Sequence, residues 1–137
     1  MTRAMGVDLG SARTGVAVAV AGIAQPLTVL TAKDGELVDA LASLAREQDA
    51  TEIVVGDPIR LDGTVGPAAE RARATAERLR GSTSVPVVMW DERLTTAEAE
   101  RTLIEADVRR KRRRSVVDTM AATLMLQSYL DAHRVPR

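Results

Sequence analysis

The hydrophobic pattern changes period twice along the chain. Residues 4–8 form a short apolar run that ends at Asp8-Leu9-Gly10, the pattern of a strand entering a turn. Residues 15–21 alternate, with Val16, Val18 and Val20 on one face, and predict a second strand hairpinned to the first across residues 11–14. Residues 27–31 predict a third strand, with Pro26 marking its start. Three strands joined by short loops make an antiparallel meander.

Helical spacing then takes over. Leu37, Val38, Leu41, Leu44 and Ala45 recur at helical intervals between Asp34 and Gln48. A short buried-type strand at 52–55 is stopped by Gly56-Asp57-Pro58, and Asp62-Gly63 marks a turn in the loop 59–66. Pro67 suits a first helical turn, and Ala68, Ala69, Ala72, Ala76 and Leu79 give a stripe that ends at Gly81. Residues 86–90 predict a fifth strand, running into Asp91-Glu92-Arg93. Thr95-Thr96-Ala97-Glu98 has capping-box spacing and predicts a helix from there to about Ala106. Residues 115–132 predict a strongly apolar last helix bearing Val116, Val117, Met120, Ala121, Leu124, Met125 and Tyr129. The order β-β-β-α-β-α-β-α implies an α/β domain with a mixed five-stranded sheet flanked by helices. A length of 137 residues with no internal repeat or linker reads as one domain over 1–137.

Composition narrows the class. No apolar run approaches the roughly 18 residues that span a bilayer, and the amino-terminus passes directly into a strand-like segment, so neither a membrane span nor a signal peptide is expected. The absence of cysteine excludes disulfides, thiolate catalysis and zinc-thiolate sites. A cytoplasmic protein is the simplest reading. The balance of 19 basic and 19 acidic residues hides an asymmetry. Residues 1–100 hold 10 Lys/Arg against 15 Asp/Glu, and residues 101–137 hold 9 against 4. Much of the excess lies in Arg109, Arg110, Lys111, Arg112, Arg113 and Arg114, a block that is either a solvated loop or a partner for phosphates. One Trp and one Tyr, Trp90 and Tyr129, are too few for a base-stacking module.

The candidate chemistry is acidic. Asp8 ends the first strand, where loops converge and ligands bind in sheets of this kind, although an aspartate can also simply open a turn. Asp91 and Glu92 follow the fifth strand. Parallel crossovers put the ends of strands one, four and five on one edge, and alternation lets only one of that pair face Asp8. Alternatively both acids simply favour the N-terminus of the following helix through its dipole, and Arg93 could pair with the other carboxylate or contact a phosphate. Asp118 belongs to the first turn of the last helix, where it either caps or, with small Ala121 and Ala122 behind it, approaches the sheet edge. Converging carboxylates repel unless cations sit among them, and all-oxygen ligation suits Mg²⁺ or Mn²⁺. Two such ions would activate water against a phosphodiester. The lone His133 is placed near the end of the chain and reads as solvated.

Four stretches in this order carry a family resemblance. They are Asp8-Leu9-Gly10-Ser11-Ala12-Arg13-Thr14-Gly15-Val16-Ala17-Val18, Val55-Gly56-Asp57-Pro58 with Asp62-Gly63-Thr64, Asp91-Glu92-Arg93-Leu94-Thr95-Thr96, and Val117-Asp118-Thr119-Met120-Ala121-Ala122. The chain resembles the YqgF/RuvX family, small relatives of the RuvC resolvase, over essentially its whole length. That resemblance implies an RNase H-like fold and a nuclease of the bacterial cytoplasm that processes the 5′ end of pre-16S rRNA. Resolution of Holliday junctions, a branched-DNA activity in which a homodimer would supply two sites, is the older proposal for the family. It implies an acidic, metal-holding site of Asp8, Glu92 (or Asp91) and Asp118. One departure is Asp57, where the family usually has leucine. It is either a further ligand or a solvated turn residue before proline. Another is Arg60, which adds charge beside the substrate path. Arg13, Arg60, Arg93 and the 109–114 block form the expected nucleic-acid contacts. A non-catalytic RNA-binding factor is the competing class. An actin-like ATPase or sugar kinase is set aside because it needs two such domains around its cleft.

Overall fold

The computed structural model describes residues 2–106 and 118–133, and for Asp118 its backbone only. The basic block 109–114 and the expected helix start at Ser115 lie outside the described residues. Five strands form one sheet in the order β3-β2-β1-β4-β5. They are β1 (Ala4–Leu9), β2 (Thr14–Val20), β3 (Ile23–Leu30), β4 (Glu52–Asp57) and β5 (Val87–Asp91). The helices are α1 (Asp34–Glu47), α2 (Pro67–Arg80), α3 (Ala97–Glu105) and α4 (Asp118–Ala132). Strands β1, β2 and β3 pair antiparallel, whereas β4 is parallel to both β1 and β5. This is the expected mixed sheet, and with both α3 and α4 after β5 the full order is β-β-β-α-β-α-β-α-α, one helix more than the expected order. Among the described residues no helix is long and apolar enough to cross a membrane.

Alternation along the strands divides the core into two layers. Met5, Val7, Ile53, Val55 and Val87 face α1 and α2, joining Leu37, Leu41, Ala72 and Leu79. Ala4, Ala17, Ala19 and Val54 face the other way, joining Leu103 of α3 and Ala122, Met125, Leu126 and Tyr129 of α4. This second layer is built on alanines, so α4 lies very close to the sheet. Gly6 marks the closest approach, since a Cβ there would stand 2.9 Å from Leu126 Cβ. The buried face of α4 passes through Ala122, while Ala121 is exposed, so only one of the two expected small residues serves the approach.

Several boundaries differ from expectation by a residue or more, and three of the differences have a clear physical reason. The third strand starts at Ile23 because Ala21 and Gly22 form a two-residue hairpin turn, both with positive φ (54° and 82°). Pro26 therefore lies inside β3. It is tolerated because β3 is an edge strand and the register slips between Val16 and Ala17, opposite this point. The fourth strand runs on to Asp57, since the chain stays paired until Asp57 meets Asp91. The cap of α3 is one residue later than the box suggests: Thr96 Oγ1 accepts from Ala99 N at 3.0 Å, and Thr95 closes the preceding turn onto Glu92 O.

Polar side chains inside the α4 layer escaped the apolar pattern. Gln127 is fully buried; its Oε1 accepts from Ala24 N at 2.8 Å, and its Nε2 donates to Asp131 Oδ1 at 3.0 Å. It ties the last helix to the β2–β3 hairpin. Tyr129 Oη donates to Glu52 Oε2 at 3.0 Å and ties it to the start of β4.

Gly6→Ala is expected to push α4 off the sheet, costing about 1–3 kcal/mol of stability by overpacking. Urea denaturation of both proteins checks this, and an unchanged midpoint would contradict so tight a contact.

Candidate active site

The carboxyl ends of β1, β4 and β5 share one edge because the three strands are parallel. Val7 is level with Val55, Gly56 with Trp90, and Asp57 with Asp91. Alternation then sorts the acids. Asp8, Gly56 and Glu92 continue the face of Val54, Val88 and Trp90, the α3/α4 side. Asp57 and Asp91 continue the face of Val55 and Met89, the α1/α2 side.

Glu92 is the first residue of a single 3-10 turn, Glu92–Leu94, that directly follows β5. Its carboxyl group crosses β4 over Gly56 and is hydrogen-bonded to Asp8. The crossing needs glycine, since a Cβ at position 56 would stand 2.7 Å from Glu92 Oε1. Burial pushes the Glu92 carboxyl up to about 8, helped by the hydrogen bond with Asp8 and by the charges of Asp8, Asp57 and Asp91. Glu92 is thus the acid of this edge that burial and neighbouring charge keep protonated.

Asp91 turns away from this pair. Its Oδ1 accepts from the Arg93 backbone N at 2.8 Å, and its Oδ2 from Arg93 Nη2 at 2.8 Å. The guanidinium holds the Asp91 carboxyl below its ordinary value. Asp57 is not a solvated turn residue. It is 6% exposed, and its Oδ2 accepts from Arg73 Nε at 3.1 Å and Nη2 at 2.9 Å, while Oδ1 is buried with no hydrogen-bond partner. Arg73, unremarked in the sequence, sits beside Ala72 on the edge of the buried stripe of α2. That position was the available signal, once α2 is known to cover the face of Asp57.

Helix α4 runs toward the same edge. Tyr129 reaches Glu52 at the opposite end of the sheet, and Leu126 covers Gly6. Moving back along α4 therefore moves toward the Asp8 end of the sheet, and Asp118 is the first residue of that helix. Among the described residues no three carboxylates close on one point. Asp8 and Glu92 supply two, and the Asp118 side chain lies outside the description. The donor set fits a hard divalent cation, being all oxygen, anionic and crowded enough that one member retains a proton without added positive charge.

The expected nucleic-acid contacts are scattered around this edge. Arg13 closes the turn after Asp8, with its carbonyl accepting from Gly10 N at 2.8 Å. The Arg60 guanidinium packs on Gly66, where an added Cβ would meet it at 2.5 Å. Arg93 reaches toward Gly63 while bound to Asp91. Arg60 thus lies within the 58–66 loop and Arg93 beside it, and the loop is braced by Asp62 Oδ1 accepting from Thr64 N (2.9 Å) and Oγ1 (2.7 Å).

A mixed β3-β2-β1-β4-β5 sheet with helices on both faces and acids gathered at one edge defines an RNase H-like domain of the RuvC type. The RuvC of Thermus thermophilus, solved in complex with Holliday junction substrate, superposes with a TM-score of 0.69 at 13% identity over 96% of this chain and 95% of that one. The family model described as "RuvX: Holliday junction resolvase" matches residues 2–132, and the chain belongs to that family of nucleases. A relative from Pelotomaculum thermopropionicum, named "Putative pre-16S rRNA nuclease", is 48% identical over 98% of this chain and 90% of its own length. One of the same name from Myxococcus xanthus is 48% identical over 98% of this chain and 91% of its own.

Two outcomes are expected from the Asp8–Glu92 pair. A carboxyl raised to about 8 in the folded chain, against an ordinary 4.5, binds more protons folded than unfolded between those values. Its contribution to stability is present below about 4.5 and is lost as pH rises toward 8. With a chelator present, the Tm of the wild type should carry a falling component across pH 5–8 that Glu92→Gln removes. Identical pH profiles for the two proteins would exclude the raised Glu92 carboxyl. Gly56→Ala should displace Glu92 and cost at least tenfold in divalent-ion affinity by calorimetry, with little change in fold by circular dichroism.

Proposed function

We propose that this chain is a single-domain, divalent-metal-dependent nuclease of the cytoplasm that cleaves structured RNA in 5′-end processing of pre-16S rRNA. The observation that carries this reading is the Asp8–Glu92 pair over Gly56, at the edge where α4 begins with Asp118. These three acids are assigned as the metal ligands, with Mg²⁺ or Mn²⁺ as the cation. When bound, such ions supply an activated water and charge stabilisation for the leaving oxygen of a phosphodiester. The chain's own residues do the rest. Gly56 admits Glu92 to the site, and burial of Glu92 makes the apo site costly to charge, which favours cation binding. Asp91 holds Arg93 at the entrance, where its outward edge can meet a phosphate. Asp57 neutralises Arg73 behind the site and, being on the other face, acts on Glu92 only through its charge. Arg13, Arg60 and the 109–114 block are assigned to the phosphate backbone. Few aromatic rings leave shape, rather than base identity, as the basis of selection.

The choice of RNA rests on the names of the relatives at 48% identity. Branched DNA is the second reading, favoured by the family's description and by the shared fold with RuvC. In that case a homodimer would present two sites to a four-way junction.

The expected result is Mg²⁺- or Mn²⁺-dependent cleavage of a pre-16S 5′ leader that falls by more than about a hundredfold in Asp8→Asn, Glu92→Gln or Asp118→Asn. Cleavage is followed by gel at fixed salt beside a four-way DNA junction. Equal activity in wild type and Asp8→Asn would overturn the metal-nuclease reading, and preference for the junction would replace the RNA substrate with DNA. Tight, salt-sensitive binding without cleavage by the wild type would instead favour a non-catalytic RNA-binding factor.

A further inference from the structure

A second feature of the same edge lies across the sheet from Glu92. The turn after β1 folds back on itself, and Gly10 allows this, since a Cβ there would stand 2.6 Å from the Arg13 carbonyl oxygen. Between this turn, the entry to α1 and the first half of α2 lies a cleft of about 60 Å³. Its inner wall is apolar, from Leu9, Ala32 and Leu37, and its rim carries Lys33 and Arg71. Lys33 Nζ donates to Ser11 O at 3.1 Å, and Arg71 Nη2 to Gly10 O at 2.6 Å. These two cations come from α1's entry and from α2, more than 35 residues apart, yet they converge on adjacent carbonyls of one turn.

Neither is neutralised by a described carboxylate. Among the described residues the ion pairs of α2 are Arg73–Asp57 and Arg80–Glu77, and neither Lys33 nor Arg71 meets a carboxylate within 4 Å. Asp34 also lines the cleft, exposed at its mouth and unpaired with either. A basic side chain that needed only to brace the turn could do so as an uncharged donor. Two full charges held at one cleft by main-chain oxygens still have donor groups for an anion, since guanidinium carries five N–H bonds and ammonium three. Asp8 is two residues from Gly10 and three from Ser11, so the cleft lies at most about 10 Å along the chain from Asp8. A strand crossing the sheet edge would meet both.

We propose that the Lys33–Arg71 cleft is a phosphate subsite that seats a backbone phosphate of the nucleic-acid strand next to the one cleaved. It rests on the nuclease reading of the Asp8–Glu92 edge. Both cations act as positioning residues: they touch a phosphate remote from the reacting bond and hold the strand in register with the acids.

The test separates charge from bracing. Lys33→Gln and Arg71→Gln keep a donor for the turn carbonyls and lose the charge, whereas Arg78→Gln removes an exposed α2 cation outside the cleft. Binding of single-stranded RNA and DNA of one sequence is measured by anisotropy in chelator, across a salt series, with melting curves for every variant. Each cleft variant should bind about tenfold more weakly, the size of one charge-assisted hydrogen bond. Each should also lower the slope of log affinity against log salt by about 0.7, on RNA and DNA alike. Arg78→Gln should change neither quantity. A methylphosphonate one nucleotide from the cut should weaken wild-type binding and leave the double variant unaffected. Wild-type affinity and slope in both cleft variants would overturn the subsite while leaving the nuclease reading intact. Inhibition by inorganic phosphate with unaltered strand binding would reassign the cleft to a free anion and likewise overturn it. A wild type that neither binds nor cleaves any strand would bring down both readings.

Discussion

Everything at the sheet edge depends on two carboxyl groups held in contact where water is scarce. Left alone, Asp8 and Glu92 repel once both ionise, and the chain accommodates this by leaving Glu92 protonated to about 8. That arrangement persists only because the backbone enforces it. Parallel pairing of β1, β4 and β5 brings the strand ends level, glycine at 56 clears the crossing, and the 3-10 turn starts at Glu92 itself. The same geometry that raises Glu92 concentrates anionic oxygen at this point of the edge.

The two faces of the sheet divide the acidic residues into groups with different work. On the α3/α4 face, Asp8 and Glu92 meet at the edge where α4 begins. On the α1/α2 face, Asp57 and Asp91 each hold an arginine. A strand's period of two is enough to make this division, and it answers which of Asp91 and Glu92 meets Asp8. It also separates Asp57 from that pair, although its charge still reaches Glu92 across the sheet.

Much of this was legible in the residues. Element order, the shared edge and the pairing of Asp8 with only one of Asp91 and Glu92 followed from hydrophobic period and parallel crossover. The missed features are ones that local pattern cannot carry. The Ala21–Gly22 turn was hidden because Pro26 looked like a strand start, and only the edge position of β3 and its register slip make that proline acceptable. Asp57 looked like a solvated residue before proline because its partner, Arg73, lies 16 positions further on another element. Buried Gln127 was invisible for the same reason: the group it satisfies, the amide of Ala24, is 103 residues away. Sequence reading reached contacts set by period and failed at contacts set by tertiary neighbours.

The tie between Gln127 and the β2–β3 hairpin also bears on time. All five strands and their acids at 8, 57, 91 and 92 leave the ribosome before residues 118–132 do. Until that helix arrives, the alanine face of the sheet lacks its cover and the Ala24 amide lacks the Gln127 side chain that it bonds in the finished fold. A chain still being made therefore lacks the helix that closes the alanine layer, and the sheet reaches its final packing only when residues 118–132 dock.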